Sequence, residues 1–193
     1  MDDNPLVSID QDRMISNGNF HPMLMALAVD ALRPALTHVG ILSDRRMGQI
    51  WDRMMADPSV LTPEGGARLR SHASPVTRYS AAARVADLRF LAGPASLDIG
   101  PLDLGVEDHA TNAPAVVARS EEALAALEDV LAAELLTAAS AIAWNPEGRE
   151  AMAPATRAVL EALDRASAAL ADDAPTARIH EAAGSLLRMG LGR

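Results

Sequence analysis

Cysteine does not occur in the 193 residues, which removes disulfides, thiolate nucleophiles and thiolate metal ligands from consideration. Aromatic residues are scarce, limited to Phe20, Trp51, Tyr79, Phe90 and Trp144. The core must therefore be built from alanine and aliphatic side chains, which suits thin, closely packed helices. Basic charge is also short: the formal net charge is -9 and the pI is near 4.9. No basic stripe is present to displace counterions from phosphates, so nucleic acid is not an expected partner. An anionic membrane is disfavoured for the same reason. The longest apolar tracts are interrupted by Asp30, Arg33 and His38 or by Glu128, Asp129 and Glu134, so neither reads as a membrane span. The opening "MDDNPLV" lacks the basic and apolar regions of a secretory signal. These absences together predict a soluble, cytoplasmic protein.

What the sequence does have is helical periodicity. Its length fits one domain, expected as a single helical unit over 1–193, with an irregular lead-in at 1–19 and a helical bundle over 20–193. Polar residues broken by Pro5, Gly18 and Asn19 mark the lead-in. From Phe20 to about Met55, Leu24, Leu27, Ala31, Ala35, Val39, Leu42, Met47, Ile50 and Met54 recur at helical spacing, and Pro34 is expected to kink or interrupt that helix. "DPSVLTPEGG" at 57–66 reads as a loop. Ser74 and Pro75 open a helix to about 92, closed by Gly93 and Pro94. "GPASLDIGPLDLGV", 93–106, reads as an ordered loop. Beyond it Val117, Leu124, Leu131 and Ala138 repeat every seven residues, predicting a helix from about 110 to Trp144. Two further helices follow, one through Met152 to Leu170 and one through Ile179 to Leu187. No segment reads convincingly as strand, so the fold class is all-α, a long-helix bundle. Helices apolar on more than one side cannot bury every side in so short a chain, which predicts an oligomer or complex.

The densest ionisable cluster is Glu107, Asp108 and His109. Consecutive helical residues point about 100 degrees apart, whereas metal pairs on helices sit three or four residues apart, so no metal site is expected. On composition alone, carboxylates in a first helical turn, placed there for the exposed amides and the helix dipole, are the simpler reading. His38, His72 and His180 have no serine or cysteine partner at a recognisable spacing and read as surface or packing residues. Tyr79, the lone tyrosine, also reads most simply as packing. "GPASLDIG" lacks the strand and lysine of a phosphate-cradling loop, so no cofactor-binding residues are assigned.

Four segments taken in order nevertheless carry a resemblance. "DNPLV" (3–7), "NGNFHPMLMALAVDAL" (17–32), "LSDRRM" (42–47) and the stretch from "GVEDHATNA" (105–113) through "ELL" (134–136) resemble motifs of the aromatic amino acid ammonia-lyase and aminomutase family, with its histidine ammonia-lyases nearest. The match runs over about residues 3–190 and covers only the family's C-terminal part.

The resemblance implies a chemistry and a division of labour. Family members cyclise an internal Ala-Ser-Gly into an electrophilic methylidene-imidazolone group, and a tyrosine removes the β-proton of the substrate. Ala73-Ser74-Pro75, Ala95-Ser96-Leu97 and Ala139-Ser140-Ala141 lack the required glycine, whose missing side chain lets its amide approach the alanine carbonyl. Alone, the chain should therefore be inactive. Its initial methionine stands just ahead of the first motif, where a divided ancestral enzyme would restart. The expectation is the C-terminal subunit of a split, hetero-oligomeric enzyme. Its partner would be an N-terminal lyase-like subunit carrying Ala-Ser-Gly, supplying the methylidene-imidazolone group for ammonia elimination from an aromatic or histidine-like amino acid. By resemblance Glu107 is the catalytic carboxylate, while Phe20 and Asn19 bind substrate. A Glu here points to a polar or histidine-like substrate. Val106 stands where the family usually has Gln, and Pro22 where it usually has Gly. Those departures suit the alternatives, a non-catalytic helical scaffold or regulatory remnant; an aminomutase subunit is the other reading.

Overall fold

The computed structural model describes residues 4–17, 21–69, 72–97, 100–101, 104, 109–170 and 176–190. Residues 4–17 are not irregular. Strands β1 (Leu6–Ser8) and β2 (Arg13–Ile15) form an antiparallel hairpin in which Leu6 pairs with Ile15 and Val7 with Met14. Strands of three residues are too short to show alternation in a sequence. The reversal at Ile9–Asp12 uses a left-handed Asp12, φ 47°, a conformation that aspartate tolerates better than most side chains.

The rest of the described chain is helical. Helix α1 (Met23–Met55) leads through a 3-10 turn (Pro58–Leu61) and α2 (Pro63–Leu69) to α3 (Pro75–Leu91). After the 93–112 connection come α4 (Ala113–Trp144), α5 (Pro146–Glu150), α6 (Pro154–Ala168) and α7 (Thr176–Arg188). The stretch expected as a loop at 57–66 is thus partly helical. Asp57 accepts the Ser59 amide at 2.9 Å and caps the 3-10 turn, while Pro63 starts α2. Ser74 and Thr77 form a capping box on α3, as Ser-Pro at 74–75 suggested.

Helix α1 passes through Pro34 without interruption. The proline lies on the exposed face, and the buried residues around it carry the local structure. Arg33 and Asp30 are hydrogen-bonded to each other, and the Thr37 hydroxyl lies 2.9 Å from the Arg33 carbonyl and 3.0 Å from that of Leu88. Tertiary contacts therefore hold the turn from which Pro34 removes a donor.

Contacts along the two long helices show that α1 and α4 run parallel. Arg33 meets Ser120 near the start of both, and Ser43 meets Glu134 further along. Helix α3 runs antiparallel to α1, with Leu88 opposite Thr37 and Arg78 opposite Asp44. Met47, Ala81, Val85, Leu88, Ala123, Leu127 and Val130 fill the space among the three. Trp51, Met54, Leu136, Leu160, Leu163 and Ala183 form a second core where α6 and α7 close over the far end.

The apolar seam read from α1 faces the core only in its last third, at Met47, Ile50 and Met54; up to Leu42 it does not. Ala26, Asp30, Arg33, Thr37, Gly40, Ser43 and Met47 are buried, whereas Leu24, Leu27, Val39 and Leu42 are exposed. Helix α4 behaves similarly: Val116, Ser120, Ala123, Leu127 and Val130 are buried while Val117 and Leu124 stand out. Periodicity identifies an apolar face and is silent on what covers it. By length and hydropathy α1 contains a stretch sufficient to cross a membrane, contrary to the expectation from its interrupting charges. Of those residues Asp30 and Arg33 are committed to the end of α3, to α4 and to the intervening loop, as expected of a bundle helix with a second apolar face.

Candidate active site

Asn19, Phe20 and Glu107 lie outside the described residues, as do Val106 and Asp108. The residues directly following them are described. His21, ahead of α1, and His109, ahead of α4, stand with ring centroids 5.8 Å apart and ring planes inclined by 37°. Two motifs far apart in sequence thus end beside each other. His21 is half-buried and His109 is exposed.

Parallel alignment of α1 and α4 is what brings their N-terminal ends to one side of the bundle. Beneath that juncture lies a charged network that sequence reasoning missed. Arg33 is fully buried, at 0% exposure. Its Nε donates to the Leu91 carbonyl at 2.8 Å and its Nη2 to the Gly93 carbonyl at 2.8 Å and to Asp30. Its Nη1 donates to the Val116 carbonyl at 3.3 Å and the Ser120 hydroxyl at 3.1 Å. Asp30 in turn accepts the amides of Ala95 at 3.2 Å and Ser96 at 3.0 Å.

Burial pushes the Asp30 carboxyl up, but the hydrogen bonds from Ser96, Ala95 and Arg33 prevail and hold it at about 2. The pair is therefore ionised and its oxygens are occupied, a structural role and not that of a proton carrier. Asn112 completes the arrangement. It takes a left-handed conformation, φ 49°, at the start of α4 and donates its side-chain amide to the Ala95 carbonyl at 2.7 Å. Opposite charges at i and i+3 were the available signal in the sequence; their burial was not readable.

The remaining polar clusters knit the bundle together. Glu134 accepts from Ser43 at 2.6 Å and from Arg46 Nη2 at 2.8 Å. Burial raises its carboxyl, and the Arg46 and Ser43 hydrogen bonds more than offset that, leaving it below the usual range. His72 meets Asp164 at 2.9 Å, and Arg149 meets the same carboxylate at 2.8 Å. His180 lies 3.4 Å from Asp129, which also pairs with Arg84. Tyr79, expected to pack, is 75% exposed. Helix α3 buries Thr77, Ala81, Val85 and Leu88, and position 79 falls on its other side. Among the described residues no three His, Asp or Glu side chains converge as metal ligands would.

The serines of Ala73-Ser74, Ala95-Ser96 and Ala139-Ser140 each belong to a local structural contact. Ser74 caps α3 ahead of Pro75, the Ser96 amide is held by Asp30, and the Ser140 hydroxyl accepts the Ala73 amide at 2.9 Å.

Two parallel long helices packed on each other, with an antiparallel third against both, make up the helical part of the ammonia-lyase architecture. The chain belongs to the aromatic amino acid lyase family, whose sequence profile matches residues 1–165. It is 36% identical over 189 residues to the histidine ammonia-lyase of Symbiobacterium thermophilum, covering 97% of this chain and 36% of that protein. It is 31% identical over 175 residues to histidine ammonia-lyase 1 of Fusobacterium nucleatum subsp. nucleatum, 90% of this chain and 33% of the relative. The chain thus spans about a third of the length of these relatives. Histidine ammonia-lyase from Trypanosoma cruzi superposes with a TM-score of 0.79 at 26% identity, over 97% of this chain and 37% of that structure. A ligand-bound tyrosine aminomutase mutant gives 0.75 at 29% identity, over 97% and 35%.

Proposed function

We propose that this chain is the C-terminal subunit of a two-chain ammonia-lyase that eliminates ammonia from a histidine-like or aromatic amino acid to give an α,β-unsaturated acid. The observation that carries the reading is the His21–His109 contact, because it joins the ends of the two segments that hold Asn19, Phe20 and Glu107. The names of the relatives favour a histidine-like substrate.

In this reading the methylidene-imidazolone group belongs to a partner subunit carrying Ala-Ser-Gly. When present, that group supplies the electrophile that makes the amino group a leaving group. Phe20 and Asn19 line the substrate pocket. Glu107 holds the imidazole or amine of the substrate through a charge-assisted hydrogen bond, or takes up a proton where burial raises its pKa. The outward apolar faces of α1 and α4, with Leu24, Leu27, Val39, Leu42, Val117 and Leu124, form the contact surface of the hetero-oligomer. Exposed apolar faces of this extent are characteristic of assembly surfaces. A cytoplasmic location belongs to the same proposal.

Co-expression with a lyase-like chain carrying Ala-Ser-Gly, followed by absorbance assays for unsaturated acid on histidine, phenylalanine and tyrosine, tests it. A stable, active complex is expected, and Glu107→Gln should lower turnover by about 10²-fold or more while leaving assembly intact. Absence of a complex, or a complex inert toward all three, sinks the proposal in favour of a non-catalytic scaffold. Recovery of the β-amino acid would mark an aminomutase.

A further inference from the structure

We infer that Arg33 is the positioning residue of the site: its guanidinium fixes the start of α4 against the start of α1 and so sets the spacing between His21, which follows the Asn19–Phe20 segment in sequence, and His109, which follows the Glu107–Asp108 segment. This rests on the proposed reading that those segments share one substrate pocket.

The geometry of the guanidinium carries the inference. Arginine presents five N–H donors in a rigid planar fork. Here the fork reaches three parts of the chain: Asp30 on α1, the Leu91 and Gly93 carbonyls at the end of α3, and Val116 and Ser120 on the first turns of α4. The α3 end is a natural seat for the positive charge, since the last carbonyls of a helix lack intrahelical donors and carry its negative pole. Asp30 extends the hold to the Ala95 and Ser96 amides, and Asn112 ties Ala95 to the first residues of α4.

Apolar contact alone would leave this end adjustable. Among the described residues Ala26, Ala95 and Val116 form the buried apolar cluster there, with Val29 and Ala113 beside them, and alanines define a sliding helix contact poorly. The fork, by contrast, has a single geometry. A shift of α4 along α1 by one residue is about 1.5 Å, enough to break both bonds from Nη1. It would move His109 relative to His21 by a comparable distance, and misplacement of that size costs about 10²-fold in rate at a preorganised site.

Two variants test this without removing any residue assigned to the pocket. Arg33→Lys keeps a buried cation opposite Asp30 but replaces the fork with one nitrogen. Asp30→Asn combined with Arg33→Met removes both charges and leaves neither unpaired, a replacement that buried ion pairs often tolerate. The chain has 5 histidines, so ring-labelled histidine gives a countable set of NMR signals. In the full chain the His21 and His109 ring protons should show a cross-relaxation peak, and that peak should vanish in both variants while the far-UV circular dichroism spectrum is unchanged. Where one variant fails to fold, the other decides. Absence of the peak in the wild type, or its retention in either folded variant, overturns the inference. In the active complex, folded variants should assemble normally and lose about 10²-fold in kcat/KM; unaltered kinetics also overturn it. A wild-type complex without activity would instead count against the proposed function and leave the NMR result standing.

Discussion

The hydroxyl of Ser140 lies 2.9 Å from the amide nitrogen of Ala73 and 3.3 Å from that of His72. One fully buried side chain on α4 thereby takes up two backbone donors of the segment leading into α3. Ser140→Ala leaves both amides without that acceptor. The expected loss is about 1–3 kcal/mol of unfolding free energy, measured by urea denaturation. A change below about 0.5 kcal/mol would show that these amides find other partners.

Gly40 sets how closely α1 approaches α3. A Cβ at this position would lie 2.6 Å from Leu88 Cδ1, and Leu88 has no exposed surface to move into. Gly40→Ala gains about 1 kcal/mol in helix propensity and costs about 1–3 kcal/mol by overpacking. Overpacking should win, with a net destabilisation of about 1 kcal/mol. A stabilised variant would show that the helices separate freely.

Asp30 should shape the acid limb of stability. Its carboxyl is held at about 2 in the fold against an ordinary value of 3.8. The folded state therefore binds the proton less readily than the unfolded state. The contribution is complete above the unfolded value and is lost as pH falls from about 4 through about 2. That lowering corresponds to about 2 kcal/mol of stability at neutral pH. Asp30→Asn should be less stable at neutral pH, because Arg33 loses its buried counter-charge, and yet show a shallower fall between about pH 5 and 2. Asp57, Glu134 and Asp164, also lowered, contribute to the slope that remains. A limb as steep as that of the wild type would remove Asp30 from this role.

Val39 and Leu124 test the outward apolar surface. Both are nearly half exposed, so Val39→Glu and Leu124→Glu should change unfolding free energy by less than about 1 kcal/mol. Each should weaken association with the lyase-like subunit by about tenfold or more, read by analytical ultracentrifugation. Undiminished association would place the contact elsewhere.

Helix positions were largely legible because Ser74-Pro75, Gly93-Pro94 and the seven-residue repeat from Val117 act locally. The buried faces were not. Leu24, Val39 and Leu42 make the strongest stripe on α1, but its core-facing side is Asp30, Arg33, Thr37 and Ser43. That polar side is bearable only because its partners come from α3, the 91–96 segment and α4, information that no window along α1 contains. The hairpin escaped notice because it is too short for a period. Of the site, the sequence indicated the two motifs, and the His21–His109 contact adds their adjacency. The Arg33 network beneath them required three dimensions.

The Asp30 grip on Ala95 and Ser96 has a consequence for exchange with solvent. Loop amides ordinarily trade their hydrogens rapidly. These two are held by a carboxylate that is itself locked to a guanidinium bridging α1, α3 and α4. Releasing either amide leaves a buried carboxylate short of a donor, so a piece of connecting chain should exchange on the slow timescale of the three helices it links.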